Sequence, residues 1–314
     1  MSSSSQPAIL VLGGTGTVGS RIVSQLAASS HPHRILVASR NGSKNNDSAN
    51  PRVQHVPFDW HDTDTWDNLF PTTTTANTAN PTTNTNITAV YLIAPPTLGA
   101  EQVMIDFVEL ARGRGVRRFV LQSGSPIEAG GPAMGQVHAH LRDLGQRGEA
   151  EWACLRPTWF QQNFADQSNH VQSIKEESKV YSATGDAKLP WVSADDIAAV
   201  AVRTLTDKVA PNGEYLVLGS ELLSYGEIAN ILSEVLGRKI VHVDLSSAEL
   251  EQRYQSFGMP EDYAKMMGAL DTSVKFGSEN RTNDVILAVT GSAPRKFKDF
   301  ALSVKEVWGS GGRV

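Results

Sequence analysis

The sequence predicts an α/β fold: a doubly wound parallel sheet with helices on both faces. Two patterns carry that expectation. Short apolar runs alternate with helical stretches through the first half of the chain, and the first run ends in glycines. A short apolar run bounded by turns is the signature of a strand buried on both faces. Its alternation with amphipathic stretches implies parallel strands joined by crossover helices.

The first run is Ala8 to Leu12 (AILVL). A helix is expected from Thr17 to Ala28, where Val18, Ile22, Val23 and Leu26 share a face. Strands are expected at Arg34 to Ala38 and Val53 to Phe58. Pro71 to Asn86 is almost entirely Thr, Asn, Pro and Ala, has nothing to bury, and reads as a solvated loop. Ala89 to Ala94 (strand), Glu101 to Arg112 (helix), Arg118 to Gln122 (strand), Gln136 to Gln146 (helix) and Glu151 to Leu155 (strand) continue the alternation. Beyond Arg156 the pattern loosens, and Pro157 to Trp191 reads as loop-rich. Asp195 to Thr206 is a helix, with Ile197, Val200, Ala201 and Leu205 on one face. A strand at Leu216 to Leu218 and helices at Ser224 to Leu236, Ser247 to Phe257 and Lys296 to Trp308 complete the reading.

The formal net charge is −5 and there is no basic patch, which argues against nucleic acid or an anionic membrane as the main partner. No apolar run approaches the roughly 20 residues that span a bilayer. Met1 to Pro7 lacks the features of a signal peptide. The single cysteine, Cys154, lies in an apolar segment, reads as a buried inert thiol, and fits a reducing compartment. The cytosol is therefore the expected location, and no metal site is expected.

The strand Ala8 to Leu12 runs into Gly13-Gly14-Thr15-Gly16-Thr17-Val18-Gly19, directly before a helix. Read from Gly14 this is G-x-G-x-x-G. The motif alone is weak; between a first strand and a first helix it is a dinucleotide-binding turn. One glycine permits the tight turn, the next lets amides approach a pyrophosphate, and the last packs helix on sheet. The fold is thus of Rossmann type. Residues 1–156 are expected to form its dinucleotide-binding domain, with the sheet completed by segments near 190–220. Residues 157–314 are expected to cover the substrate, not as an independent domain.

The second strand ends Ala38-Ser39-Arg40, with Lys44 nearby. An NAD binder usually carries Asp or Glu here for the ribose hydroxyls. Arg40 can instead pair with a 2′-phosphate and Ser39 can donate a hydrogen bond, which favours NADPH/NADP. Further strand ends are expected along the same groove: Asp59 and Trp60 by the adenine, then Ala94 and Pro95, Ser123, and Pro157.

Many carbonyl reductases of this fold use a Tyr-x-x-x-Lys pair, whose tyrosine protonates the developing alkoxide. No tyrosine occurs between Tyr91 and Tyr181. Three readings stay open. His138 or His140 acts as acid; Ser123 or Ser125 polarises the substrate; or the chemistry needs no acid. Hydride addition to an iminium cation gives a neutral amine directly, so the missing tyrosine points to C=N reduction or to a protein that binds cofactor without turning it over. Trp159, Phe160 and Phe164 offer aromatic faces that suit a flat cationic substrate. Met134, His138 and Asn163 join them as expected substrate contacts.

The glycine turn, the Ser39-Arg40 ending and the absent tyrosine resemble the NmrA-like atypical short-chain dehydrogenases. Phe58-Asp59-Trp60, Gly130-Gly131-Pro132-Ala133-Met134-Gly135, His138-Ala139-His140-Leu141, Leu155 to Phe160, Tyr181 to Asp186, Asp195 to Ala198, Leu236 to Ile240 and Pro294 to Phe297 resemble the fungal festuclavine synthase and agroclavine dehydrogenase group. The resemblance spans nearly the whole chain; the Pro71 to Asn86 loop and Gly145 to Ala150 depart from it. It implies an NADPH-dependent enzyme of ergot alkaloid biosynthesis. Such an enzyme reduces a cyclic iminium, derived from chanoclavine-I aldehyde, to festuclavine or agroclavine, and couples to an upstream flavin enzyme. The alternatives are a non-catalytic NADP sensor, which the same group includes, and a carbonyl or quinone reductase using His138 or Ser125.

Overall fold

The computed structural model describes residues 6–42, 50–70 and 86–309. Lys44 and residues 71–85 of the Thr/Asn-rich segment lie outside them, as do the first five residues. The chain divides into two compact units, Met1–Arg156 with Ile197–Tyr215, and Pro157–Asp196 with Leu216–Val314.

The first unit is built as follows: β1 (Ala8–Leu12), α1 (Thr17–Ala28), β2 (Arg34–Ser39), β3 (Val53–Pro57), α2 (Asp64–Asp67), β4 (Ile87–Ile93), α3 (Glu101–Gly113), β5 (Arg118–Gln122), α4 (Met134–Gln146) and β6 (Glu151–Pro157). The seven-stranded sheet runs β3-β2-β1-β4-β5-β6-β8, where β8 is Gly213–Val217. Each neighbouring pair from β3 to β6 is parallel. This is a Rossmann-type α/β fold. All five residues of β1 are buried, as an apolar run between two helix layers must be. Strand order reverses between β1 and β4, and ligands of open α/β sheets bind at the carboxyl edge of such a switch point.

The helices pack through the apolar faces that the sequence shows. In α1, Val18, Ile22 and Leu26 are buried, at one-turn spacing. Phe58, Trp60 and Trp66 gather edge-on around Phe107 of α3, with ring centroids 5.3 to 5.5 Å from it.

The second unit departs from the sequence reading. Pro157 to Trp191 is not plain loop. It holds α5 (Asn163–Asp166), α6 (Ser168–Gln172), a π turn at Ser173–Glu177, and β7 (Lys179–Ser182). α7 (Ala194–Thr206) follows, belonging from Ile197 on to the first unit. Strand β8 starts before the expected Leu216, at Gly213. α8 (Tyr225–Leu236) opens on a capping box of Ser224 and Glu227, and α9 (Ser247–Ser256) on one of Ser246 and Glu249. Between them β9 (Val241–Asp244) pairs in parallel with β7. The sequence analysis missed β9, a four-residue strand of alternating polarity. It also missed α10 (Glu261–Lys275), whose buried positions are Ala264, Gly268, Asp271 and Val274. Those side chains are too small or too polar to mark a helical face. α11 (Val285–Thr290) and α12 (Phe297–Val304) complete the unit, the latter running into a 3-10 turn at Lys305–Trp308. Among the described residues no helix is long and apolar enough to cross a membrane.

Asp271 is a buried acid in this second core, only 1% exposed. Its Oδ2 accepts the Ala183 N–H at 3.1 Å. Burial raises its pKa to about 6, against the opposing pull of that amide and of the Trp159 side chain. The folded pKa lies above the unfolded one, so the folded state holds this proton more tightly. The resulting stability is full below the unfolded value near 3.8 and is lost as pH rises through about 6. Asp271→Asn removes that loss. Urea midpoints measured from acid to neutral pH should show wild type falling relative to the variant across this window; parallel curves would refute the assignment.

Candidate active site

The glycine turn joins β1 to α1 at the switch point. Gly13 has φ +61°, a left-handed conformation that a side chain would strain. A Cβ on Gly14 would lie 2.7 Å from Val37 Cγ1, and one on Gly19 only 2.2 Å from the Gly13 carbonyl oxygen. Gly14 N–H donates to the Ala38 carbonyl at 3.1 Å, and Gly16 N–H to Gly13 at 2.9 Å. These contacts draw β2, the turn and the helix start together. Thr15 and Gly16 are exposed, and no side chain caps α1 at Gly16. The helix therefore presents its positive pole at the carboxyl edge of β1, with Thr17 and Val18 opening the first turn and Val18 itself buried.

Arg40 follows the end of β2 and is exposed, with Ser39 half-buried before it. Among the described residues no carboxylate pairs with Arg40. Asp59 is half-buried, and its Oδ1 accepts the His61 N–H at 2.9 Å. Trp60, expected along the cofactor groove, is 8% exposed, and its ring packs into the Phe58–Trp66–Phe107 cluster. Ala94 and Pro95 leave β4 half-buried beside the turn, where Ile93 Cγ2 would meet a Cβ on Gly13 at 2.7 Å.

The connection from β5 to α4 carries the groups considered for chemistry. Ser123 continues the ladder, its N–H donating to Leu155 at 2.8 Å. Ser125 is fully buried. Met134 opens α4, also buried. His138 is 1% exposed, and its Nε2 lies 3.9 Å from Glu214 Oε2. Its Nδ1 finds no hydrogen-bond partner among the described residues. Burial lowers its pKa, and the Glu214 carboxylate only partly opposes this. His138 is thus held toward the neutral form. His140 is engaged elsewhere, its Nε2 hydrogen-bonded to Glu109 Oε1 of α3 at 2.8 Å. Burial pushes the Cys154 thiol up to about 12, so it is no nucleophile.

A residue that sequence reasoning passed over stands in this unit. Arg156 is 5% exposed at the end of β6 and binds Glu128, Glu214 and the Ser125 carbonyl. The signal was present: a lone arginine inside the apolar strand Trp152-Ala153-Cys154-Leu155.

In the second unit Pro157 is buried, and Trp159, Phe160 and Asn163 are half-buried. Phe160 forms a backbone bridge with Val192. Phe164 was expected in a substrate wall. It is fully buried, between Trp191 at 5.1 Å and Phe297 at 5.4 Å, and belongs to the core.

Residues 13–208 match the NAD(P)H-binding family and residues 135–301 the NmrA-like family. The chain belongs to the NmrA-like family of NAD(P)H-binding oxidoreductases. It is 42% identical to festuclavine synthase II of Penicillium roqueforti, over 96% of this chain and 99% of that one. It is 39% identical to agroclavine dehydrogenase of Claviceps fusiformis, over 96% of this chain and 98% of that one. The structure of a Citrobacter triphenylmethane reductase complexed with NADP(H) superposes with a TM-score of 0.75 at 20% identity, covering 95% of this chain and 99% of that one. That likeness shows the shared fold.

Gly19→Ala drives a methyl group into the Gly13 carbonyl and moves the turn. Calorimetric titration is expected to show NADPH binding weakened by about a hundredfold or more, with the fold retained by circular dichroism. Unchanged affinity would contradict the role given to the turn.

Proposed function

We propose that the protein is an NADPH-dependent reductase that delivers hydride to a cyclic iminium derived from chanoclavine-I aldehyde, forming a clavine, festuclavine or agroclavine. One observation carries the reading: the helix on which carbonyl reductases of this fold place their tyrosine acid holds no such group. Gly135 to Arg142 contains no tyrosine, and His138 is buried and held toward neutrality. A carbonyl would leave an alkoxide in need of a proton. An iminium carbon that accepts hydride becomes a neutral amine at once, with no proton to find. The clavine-forming names of the relatives support the same chemistry.

Bound NADPH supplies the hydride. The residues of the chain bind and orient. The turn from Gly13 to Gly19, with the uncapped start of α1, receives the pyrophosphate, and Arg40 with Ser39 takes the 2′-phosphate. Trp159 and Phe160 offer aromatic faces to a flat cationic ring system, with Asn163 as a further contact. Ser125 contributes its place in the β5–α4 connection. The aldehyde precursor comes from an upstream flavin enzyme in the same cytosol.

The test is NADPH consumption by the purified protein with chanoclavine-I aldehyde and either a thiol or the upstream enzyme, with clavine identified by mass spectrometry. Binding of NADPH without consumption would support a sensor instead. His138→Ala is expected to leave iminium reduction within about twofold, whereas removal of a general acid costs about a hundredfold or more. Arg40→Ala is expected to raise the KM for NADPH about tenfold or more and leave that for NADH nearly unchanged, as loss of a charge-assisted contact to the 2′-phosphate requires.

A further inference from the structure

We propose that Arg156 and Glu128 form a clamp that positions the β5–α4 connection as the substrate-selecting loop of the enzyme. The proposal rests on the reductase reading above for its choice of substrate. Its physical basis lies wholly within the first unit.

Arg156 ends β6 with a side chain only 6% exposed. Its Nη1 donates to Glu128 Oε2 at 3.0 Å while Nη2 donates to Glu128 Oε1 at 2.5 Å, a bidentate fork. The same guanidinium donates to Glu214 Oε2 at 2.8 Å, on β8, and to the Ser125 carbonyl at 2.8 Å. One planar group therefore ties two strands to both the backbone and the side chain of the connection. A buried arginine is costly unless its charge is met, and two carboxylates meet it.

The connection is built to hold that shape. Gly131 N–H donates to the Glu128 carbonyl at 3.0 Å, and Gly130 N–H to Gly135 at 2.7 Å. Gln136 Nε2 donates to the Gly130 and Gly131 carbonyls at 2.8 and 3.0 Å. A Cβ on Gly135 would lie 2.5 Å from the Glu128 carbonyl oxygen, so the chain folds back tightly around that residue. Ala133 sits at φ +51° and ψ −123°, a conformation rarely held by a residue with a side chain, immediately before Met134. Such strain persists only where the surroundings fix it. The connection leaves the carboxyl end of β5, the sheet edge at which ligands of this fold bind.

Glu128 is the lever for the test, because its side chain is 72% exposed and Glu214 remains as a second carboxylate on Arg156. Glu128→Ala is expected to raise the KM for the iminium substrate about tenfold, the effect of one lost charge-assisted contact, with kcat and the NADPH dissociation constant within about twofold. Glu128→Gln, which keeps an acceptor, should recover part of the loss. Amide exchange in the variant should quicken across residues 124–133 and stay unchanged in α1 and α3. Unchanged KM together with unchanged exchange would overturn the clamp. If wild type itself consumes no NADPH with the iminium, the reductase reading fails, and amide exchange alone then decides the clamp.

Discussion

The site depends on a close approach between the start of α1 and the turn that follows β1. The absence of a side chain at Gly19 lets the helix sit against the Gly13 carbonyl, and the absence of one at Gly14 lets the turn lie against Val37. Because the contact is between backbones, it fixes where the amides point. Because α1 has no side-chain cap, its positive pole remains available to an anion. The order β3-β2-β1-β4 then places this turn where the sheet reverses, so that Arg40 at the end of β2 stands next to it. Phosphate recognition thus follows from the geometry of one turn and one neighbouring strand.

The chemistry follows from what the fold leaves out. Carbonyl reduction on this scaffold depends on a hydroxyl able to give a proton. Here α4 offers a buried imidazole held toward neutrality and an imidazole engaged with Glu109. The charge of an iminium would remove the need for that proton, which is why the proposed substrate is an iminium and not a carbonyl. The clamp at Arg156 adds a means of holding the neighbouring loop without adding an acid to it.

Much of the first unit was legible because its signals are strong. Apolar runs such as Ala8 to Leu12 have one stable use in an α/β protein, and a glycine turn between strand and helix has few. Ring-bearing residues were less legible. Trp60 and Phe164 carry both a core's apolarity and a pocket's, and only packing separates them; each proved to be core. β9 and α10 were missed because Val241 to Asp244 is short and the buried face of α10 is made of Ala, Gly, Asp and Val. Arg156 was passed over for another reason. A buried cation is recognised by its partners, and Glu128 and Glu214 are distant in sequence from it and from each other.

The destination of the hydride tests the account most directly. NADPH carrying deuterium at the transferred position would be supplied with chanoclavine-I aldehyde under conditions that form the cyclic iminium, and the clavine analysed by NMR. The account predicts one deuterium on the carbon that was double-bonded to nitrogen. Deuterium on a carbinol carbon, or an unlabelled product, would contradict it.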